Sequence, residues 1–574
     1  MRRAHLHILA LTLASTFALA PAIAHAHPSW RDLGTFEREA LKEANSGRAL
    51  DFAPAPEGKT IAQVRIVNLN VFRRSSPLSF ANFFHITSTE QSIRQELTFK
   101  RGDKFVWTNI KQTLRLLRVP FYTNVAVIVP LRSSQADHVD VLVVTRDRWS
   151  IRANTDELEF QNGTLIGLEM LPGDNNFLGR RKRLALELIA DLGAYSAGSR
   201  YIDPNVLGKR YRLDTGAAMI FNRATGKVEG GKVDARFELP LWKFERRWGA
   251  HVAFDYQNSV FRQFQGTNLL IWEDDIPYEY RLRTSGVETQ VVHQVGTAAK
   301  HRIAAGHRIR SVRPGVRDSF SGTADQRTRF EEEVLPRSER TSALFLRYES
   351  FRPTFVFYRN LDNYDLPEEQ QTGPRATAEI SQTLNLLGSE AEFLQFAATI
   401  GWWVDFKQEA YMNATAGFTA RFQEGDLADN EINASIKLAT GRFFGGRLRI
   451  VARGEITLRL NDLNNVLLVA GGATGLRGYE NGAFTGSARA VGNVELRSRP
   501  YRVGFTSMGG LLFWDSGHAA DSFSEIRLRN DVGFGLRMLI PQVSSVLYRF
   551  DLAFPLQHSD AGTWRFTAGF ENTF

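Results

Sequence analysis

The sequence predicts an all-β transmembrane barrel of about 16 antiparallel strands, preceded by one small α+β domain with the element order β-α-α-β-β. Three observations support this prediction. Residues 155–574 contain long segments in which apolar and polar residues alternate. The chain of 574 residues has no cysteine, which excludes a disulfide-stabilised fold and thiolate metal sites. After the N-terminal segment there is no apolar run of the ~20 residues that a membrane-spanning helix requires.

Residues 1–26 have the features of a secretory signal peptide. Arg2 and Arg3 form a basic start, Ile8 to Ala20 is apolar or small, and two A-x-A cleavage sites follow within Ala22 to Ala26. The mature chain is therefore expected to leave the cytoplasm. With no helix to span a bilayer, it is expected to be periplasmic, secreted or an outer-membrane barrel.

Residues 27–58 are interpreted as a leader and linker. Trp30 to Ala44 is weakly amphipathic, with its apolar residues loosely on one side. Ala53 to Pro56 alternates alanine with proline, which is typical of an extended linker. An unstructured leader and a functional segment both remain open at this point.

Residues 59–153 are predicted to form the small α+β domain. Two helices are expected to begin after Ser88 and Thr108. A sheet covered by two helices can bury a modest core, and its edge strand could accept an extended peptide by β-augmentation. The three predicted strands are Ile61 to Leu69, Val125 to Leu131 and Val139 to Thr145.

Residues 155–574 are predicted to form the barrel. In Leu448 to Leu460, seven apolar or glycine residues alternate with six residues that carry four charges. Such a strand presents one face to lipid and the other to a wet lumen. Only a closed barrel pairs every backbone group of strands like these within a bilayer. At ~26 residues per strand and connection, the region holds about 16 strands, and no convincing helix is expected in it. A soluble protein of several sheets is the alternative.

Composition and motifs argue against other classes of protein. The 71 Lys+Arg and 62 Asp+Glu residues give a net charge of only +9 over the whole chain, so no nucleic-acid partner is expected. Gly226 to Lys232 fits the phosphate-loop pattern, but Val233 replaces the required Ser or Thr, and a hairpin turn is the better interpretation. His293, His301 and His307 lack a convergent carboxylate pattern. No enzymatic activity, cofactor or metal is expected.

Three motifs follow one another near the C-terminus. They are Gly475-Leu476-Arg477-Gly478-Tyr479, then Gly492-Asn493-Val494-Glu495-Leu496-Arg497, then Phe513-Trp514-Asp515-Ser516-Gly517. A guanidinium group can bind two carboxylates through its fork of donors. A loop buried in a barrel would need such an anchor, because an unpaired buried charge is costly. An exposed hairpin loop is the alternative interpretation of the first motif.

This order of motifs resembles the BamA/TamA outer-membrane insertase superfamily, which includes the two-partner secretion transporters. The resemblance implies that Arg477, Gly478 and Tyr479 lie at the tip of a long loop folded into the lumen. It also implies that Arg477 pairs with Glu495 and Asp515 on the two following strands, with Gly517 in the last motif. We call this expected arrangement the lumen-loop lock.

Other segments are similar to the same family. Asn175 to Gly179 precedes a strand as in family barrels, and residues 59–153 look like a single POTRA domain, the family's client-handling module. The C-terminal segment with Gly569, Phe570 and terminal Phe574 resembles a barrel-assembly signal, although Asn572 departs from it. The leader is loosely like the plug helix of the two-partner transporters.

The resemblance implies a function at the outer membrane of a Gram-negative bacterium, with the POTRA domain in the periplasm. The expected activity is to assist insertion or translocation of polypeptides. The expected partners are outer-membrane lipid, an unfolded or extended client polypeptide, and periplasmic or lipoprotein partners. A single POTRA domain argues against the general insertase. A secretion transporter for one exported protein and a passive pore or structural barrel remain the alternatives.

Overall fold

The computed structural model describes residues 33–570, except for short gaps at 48, 74–75, 78, 120–121, 162–163, 363, 365–366, 407–408, 473, 505, 541–545 and 558–563. The expected signal peptide and the terminal Phe574 lie outside the described residues. Among the described residues, no helix is long and apolar enough to cross a bilayer.

The N-terminal domain is built on a three-stranded sheet with the order β1-β3-β2, in which β1 and β3 are parallel and β2 and β3 antiparallel. The order of its strands and of the two helices between them is the predicted β-α-α-β-β. Its helices and strands are α1 (Thr35–Ala44), β1 (Thr60–Leu69), α2 (Glu90–Arg94), α3 (Trp107–Leu117), β2 (Thr123–Arg132) and β3 (His138–Asp147).

Both faces of this sheet are covered. Helices α2 and α3 bury Ile93 and Ile110 against one face. Helix α1 buries Ala40 and Leu41 against the other. The described part of the expected leader thus forms a third layer of the domain, and α1 lies on the sheet instead of entering the barrel as a plug helix. The segment before the Ala-Pro repeat also joins the sheet, because Phe52 forms a bridge with Leu131.

The rest of the described chain forms a closed antiparallel barrel, which confirms the predicted fold class. Its wall strands are β4 (Ile151–Gln161), β5 (Thr164–Phe177), β6 (Lys182–Asp191), β7 (Ala194–Asp203), β8 (Arg212–Asn222), β9 (Val228–Leu239), β10 (Trp248–Arg262), β11 (Glu279–Val295), β12 (Lys300–Gly315), β13 (Glu339–Phe351), β14 (Pro367–Thr383), β15 (Leu394–Asp405), β16 (Tyr411–Gln423), β17 (Asp426–Ala439), β18 (Leu448–Leu460), β19 (Ala488–Ser498), β20 (Thr506–Ala520), β21 (Arg529–Leu539), β22 (Tyr548–Pro555) and β23 (Arg565–Phe570).

Counted over the described residues, the wall has twenty strands, more than the expected number of about 16. The expectation assumed long connections throughout. Several connections are in fact two-residue turns, as at 192–193 and 424–425, so the same length of chain holds more strands. Two short segments, Thr354–Arg359 and Tyr501–Val503, extend the ladder beside β14 and β20.

The alternating pattern places charge inside and apolar residues outside. In β18, Ile450 and Ile456 are exposed on the outer face, whereas Arg449 is buried toward the lumen. Gly226 lies in the turn before β9, as the hairpin interpretation required. His293, His301 and His307 lie on β11 and β12 and contact different neighbours, namely Trp248, Tyr348 and Ser342.

The two ends of the barrel differ. We call the end where the N-terminal domain is docked the domain end, and the opposite end the distal end. Connections at the distal end include 263–278, 316–338 and 461–487, whereas several at the domain end are turns such as 178–181 and 296–299. The distal connection 316–338 contains a helix that was not expected, α4 (Ala324–Glu333). Thr323 and Gln326 form its capping box, and Phe330 anchors it in a small core.

Candidate functional site: the lumen loop and the barrel seam

The connection between β18 and β19, residues 461–487, is the loop that carries Arg477, and we call it the lock loop. It folds back into the barrel through a short hairpin, Leu468–Ala470 with Phe484–Gly486. Gly475 has a φ of +106°, and a Cβ there would lie 2.5 Å from Cγ1 of Val491. Glycine therefore allows both the turn and the close approach to β19.

Arg477 is fully buried and binds the two carboxylates that the resemblance implied. Its Nε and Nη2 donate to the two oxygens of Asp515 at 2.8 Å each, and its Nη1 donates to Oε1 of Glu495 at 2.8 Å. The guanidinium also lies 3.5 Å from the centre of the Phe513 ring. Two-pronged binding of Asp515, together with the aromatic contact, fixes both the position and the plane of the guanidinium.

The ion network is larger than the sequence indicated. Asp551 on β22 lies 3.4 Å from Nη1 of Arg477 and binds Arg537 of β21 at 2.6 Å. Arg497 binds the second oxygen of Glu495 at 2.7 Å. In the sequence, these charged residues stand out only as polar positions of alternating strands. The sequence does not show which strands lie side by side, so it does not show which of these charges form ion pairs.

Asn493 was also missed as a member of the site, although it lies inside the second motif. Its Nδ2 donates to the carbonyl of Gly475 and to Asp515, both at 2.8 Å. The side chain therefore connects the backbone of the lock loop with the carboxylate that binds Arg477.

The two glycines of the expected lock lie where side chains have no room. A Cβ on Gly478 would be 2.6 Å from Cβ of Asp531, and one on Gly517 would be 2.7 Å from the carbonyl oxygen of Ala490. Neither glycine has a positive φ. The loop tip packs closely against β21 at Gly478, and β20 packs closely against β19 at Gly517, which accounts for both glycines.

Tyr479 and the residues around it attach the loop tip to the last strands. The Tyr479 hydroxyl donates to the carbonyl of Asn530 at 3.2 Å and contacts Gln557. Arg565 on β23 donates from Nε to the carbonyl of Gly478 at 3.0 Å and forms an ion pair with Glu480 at 3.2 Å. The lock loop is thus bonded directly to the strand that closes the barrel.

The seam between β4 and β23 is the weakest part of the wall in the described residues. Its ladder consists of two register pairs, Thr567 with Gln161 and Ala568 with Phe160. The neighbouring β22–β23 ladder has six. Of the expected assembly signal, Gly569 and Phe570 lie in β23. A Cβ on Gly569 would lie 2.8 Å from the Leu158 carbonyl across the seam.

A hairpin at the domain end reaches toward the same ion network. Residues 354–362 and 367–372, which we call the inner hairpin, lie over lumen-facing residues of neighbouring strands. Tyr358 packs with Trp403 and Tyr411. Asp362 forms ion pairs with Lys437 at 3.0 Å and with Arg497 at 3.2 Å. Arg497 therefore connects the inner hairpin to Glu495 and, through it, to Arg477.

The end of β5 and the turn that follows it bind the N-terminal domain. Asn176 donates from Nδ2 to the carbonyl of Ile86 at 3.0 Å and to Ser88 Oγ at 3.2 Å. The carbonyl of Gly179 accepts from Thr89 N at 3.0 Å. Because Ser88 is engaged in this junction, Thr89 caps α2 in place of the expected Ser88.

Within the described residues, no group of three or more His, Asp and Glu side chains is placed to hold a metal ion. The fold and the buried lock define an outer-membrane barrel with a small N-terminal α+β domain. The chain belongs to the Omp85 superfamily, because the model described as "Omp85 superfamily domain" matches residues 176–574. The protein is an outer-membrane barrel of the insertase or translocase type.

Three solved structures are similar in fold. BamA from Haemophilus ducreyi lacking POTRA domains 1–3 is 13% identical, with 93% of this chain and 92% of that chain covered and a TM-score of 0.38. CdiB from Escherichia coli is 11% identical, covering 90% and 77%, with a TM-score of 0.45. CdiB from Acinetobacter baumannii is 10% identical, covering 90% and 74%, with a TM-score of 0.40. No curated protein matches the chain.

Proposed function

We propose that this protein is a specialised insertase that assembles client β-strands at the seam between β4 and β23. The observation that carries the proposal is the short seam ladder, with two register pairs among the described residues, beside a lock loop that holds β23 through Arg565. Unpaired strand edges are templates for another strand. We propose no enzymatic activity for this chain.

The N-terminal domain is proposed to lie in the periplasm. The long connections at the distal end and the turns at the domain end support this orientation, because outer-membrane barrels have longer loops outside the cell than in the periplasm. The expected signal peptide supports export of the domain. A lipoprotein or periplasmic partner would then meet the chain on this side.

The edge of β1 is the proposed first contact for a client. β1 lies at one edge of the sheet order β1-β3-β2. Residues 102–105 cover its beginning through hydrogen bonds to Lys59 and Ile61. Farther along β1, Gln63 and Arg65 are exposed. An extended client segment can pair with such an edge through main-chain hydrogen bonds.

A disulfide across the seam tests the insertase proposal. Phe160→Cys with Ala568→Cys places two thiols at a register pair of the seam in a chain that has no other cysteine. In vesicles, oxidation of this pair is expected to stop the protein from accelerating insertion of an unfolded eight-stranded barrel, used as probe client. Reduction is expected to restore the activity.

The matched control joins neighbouring strands away from the seam. Leu552→Cys with Phe566→Cys tethers a register pair of β22 and β23 and is expected to leave insertion unchanged after oxidation. Full activity of the oxidised seam variant would contradict the insertase proposal.

Secretion of one exported protein with the seam closed would favour the transporter, and steady conductance without client contact would favour a passive pore.

Photo-crosslinking tests the edge of β1. A photoreactive residue at Gln63 is expected to crosslink to the same probe client during insertion. The control is Ser134, exposed in the turn between β2 and β3. Equal crosslinking from both positions would show that β1 has no special part in binding the client.

A further inference from the structure

An exposed aromatic surface lies on the N-terminal domain next to the barrel. Between β1 and α2, the segment Ser79–Phe84 forms a 3-10 turn with none of its residues buried. The exposed fractions are 68% for Phe80, 88% for Phe83 and 62% for Phe84, and Ile86 is 55% exposed. We call these four side chains the aromatic patch. Large apolar side chains clustered in this way on a surface mark a binding site.

The patch is held at the level of the barrel's domain end. His85 lies between Phe84 and Ile86, and its Nε2 is 3.3 Å from Asp147, the last residue of β3. The carbonyl of Ile86 accepts a hydrogen bond from Asn176, near the end of β5. The His85 ring also stacks with Trp149, two residues before β4, with 6.3 Å between ring centres. The patch therefore lies at the base of the strand that forms one side of the seam.

The surface continues onto the outer face of the barrel. A Cβ at Gly179 would lie 3.3 Å from Ile86 Cγ2, so the patch borders the turn that contains Leu178, itself 55% exposed. Beyond the turn, Leu184 and Leu186 are exposed on the outer face of β6. Exposed apolar side chains thus extend from the outer face of β6, across the turn with Leu178, to the N-terminal domain.

The residues present match the chemistry of a membrane interface. Aromatic side chains are enriched where the hydrocarbon meets the headgroups, and barrels carry aromatic girdles at that level. Arg180, exposed in the turn beside Leu178, supplies a positive charge at the same level as lipid phosphates. A surface that binds a client polypeptide would need exposed apolar side chains but no connection to the barrel wall. Because the aromatic patch continues into the lipid-facing surface of the wall, lipid is the favoured partner.

We propose that the aromatic patch inserts into the periplasmic leaflet of the outer membrane and anchors the N-terminal domain beside the seam. The proposal rests on the orientation given under the proposed function, but not on which polypeptide the barrel handles. Phe80, Phe83 and Phe84 enter the leaflet, and Arg180 meets the headgroup phosphates. The anchor thus fixes the position of the N-terminal domain, along the membrane normal, relative to β4.

Site-specific fluorescence tests this anchor in the full chain. The chain lacks cysteine, so Phe83→Cys accepts a single bimane label. Phe83 is exposed, so its replacement removes little packing, and heat-shift electrophoresis checks that the labelled barrel is folded. The protein is inserted into vesicles of phosphatidylethanolamine and phosphatidylglycerol that contain nitroxide-labelled lipid. We expect blue-shifted emission, quenching by the nitroxide lipid and little quenching by aqueous iodide.

Ser134→Cys with the same label is the matched control. It lies in the turn between β2 and β3 and is exposed. It is expected to respond to iodide and not to the nitroxide lipid. The proposal is overturned if the Phe83→Cys label is as open to iodide as the control. It is also overturned if shielding appears only when the unfolded probe client is added, which would make the patch a polypeptide-binding surface. The expected fluorescence result does not require a client. It can therefore be interpreted even if the protein proves to have no insertion activity.

Discussion

At the scale of single residues, the site is governed by the cost of burying charge. Arg477, Glu495 and Asp515 are each at most 1% exposed. Buried charges are tolerated only when they are paired and hydrogen-bonded, and all three meet this condition in the structure. The pairing also explains the direction of the lock loop, since the loop must carry its guanidinium group to two carboxylates on different strands.

Replacing Arg477 with alanine is expected to destabilise the barrel by about 3–5 kcal/mol, because it leaves Glu495 and Asp515 buried without their main cation. Heat-shift electrophoresis measures the temperature at which the folded barrel opens, and this temperature should fall. Insertion of the probe client should fall with it. Wild-type values of both would contradict the lock.

A second variant separates loss of the arginine from loss of the carboxylates. Glu495→Gln with Asp515→Asn should partly reproduce the effect of Arg477→Ala, because it removes the same ion pairs. Adding these two changes to Arg477→Ala should recover part of the lost stability, since the stranded charges are gone. If only the carboxylate variants are harmful, those groups serve a partner other than Arg477.

At the scale of secondary-structure elements, the first turn of the barrel positions the N-terminal domain. Gly179 has a φ of +68°, and a Cβ there would lie 2.6 Å from the carbonyl of Thr87. The turn therefore packs closely against the backbone of the residues just before α2. The same contact carries the aromatic patch to the barrel's domain end.

Replacing Asn176 with alanine is expected to loosen this junction. The change removes both donated hydrogen bonds and leaves the buried Ser88 hydroxyl without its Asn176 partner, at a cost of about 1–3 kcal/mol. Hydrogen exchange of residues 86–92 should speed up while the barrel strands stay protected. Asn222→Ala, at the distal end of β8, is the control and should leave that exchange unchanged. Unaltered exchange in Asn176→Ala would show that other contacts hold the junction.

At the scale of the whole molecule, domain and barrel behave as one packed unit. The Arg181 guanidinium lies 4.7 Å from the centre of the Tyr122 ring at their interface. Arg210 of the barrel binds Glu96 of the domain at 2.7 Å. Arg118, which follows α3, lies 5.2 Å from the centre of the Phe357 ring of the inner hairpin. These contacts set the domain against several turns at once.

Alkaline pH is expected to weaken this interface. Burial raises the pKa of Tyr122 to about 12, against the opposing effect of Arg181. The pKa of an unfolded tyrosine is about 10, so this contribution to stability is complete below pH 10 and is lost as the pH rises through about 12.

Spectrophotometric titration of tyrosinate checks this prediction. The difference between the wild type and Tyr122→Phe should show one phenol ionising near pH 12, and the variant should lose less stability between pH 10 and 12. Tyr501→Phe, which removes an exposed phenol, is the control. A difference spectrum that rises near pH 10 would contradict burial of the Tyr122 hydroxyl.

The sequence by itself predicted the barrel and the single α+β domain, and the order of its motifs, through the family resemblance, indicated Arg477, Glu495 and Asp515. These features have local signals: alternation along a strand shows which face is apolar, and the motifs follow in a fixed order. The exact boundaries of β18 were readable in this way, because a two-residue period is a property of neighbouring positions.

Only the tertiary structure decided the number of wall strands, the packing of α1, and the parts that Asn493, Asp551 and Arg565 take in the site. Each depends on which distant segments meet. Strand count depends on turn lengths, which periodicity does not reveal. The partners of a buried charge depend on the register between strands, and register is settled by the packing of the closed wall and not by any one segment.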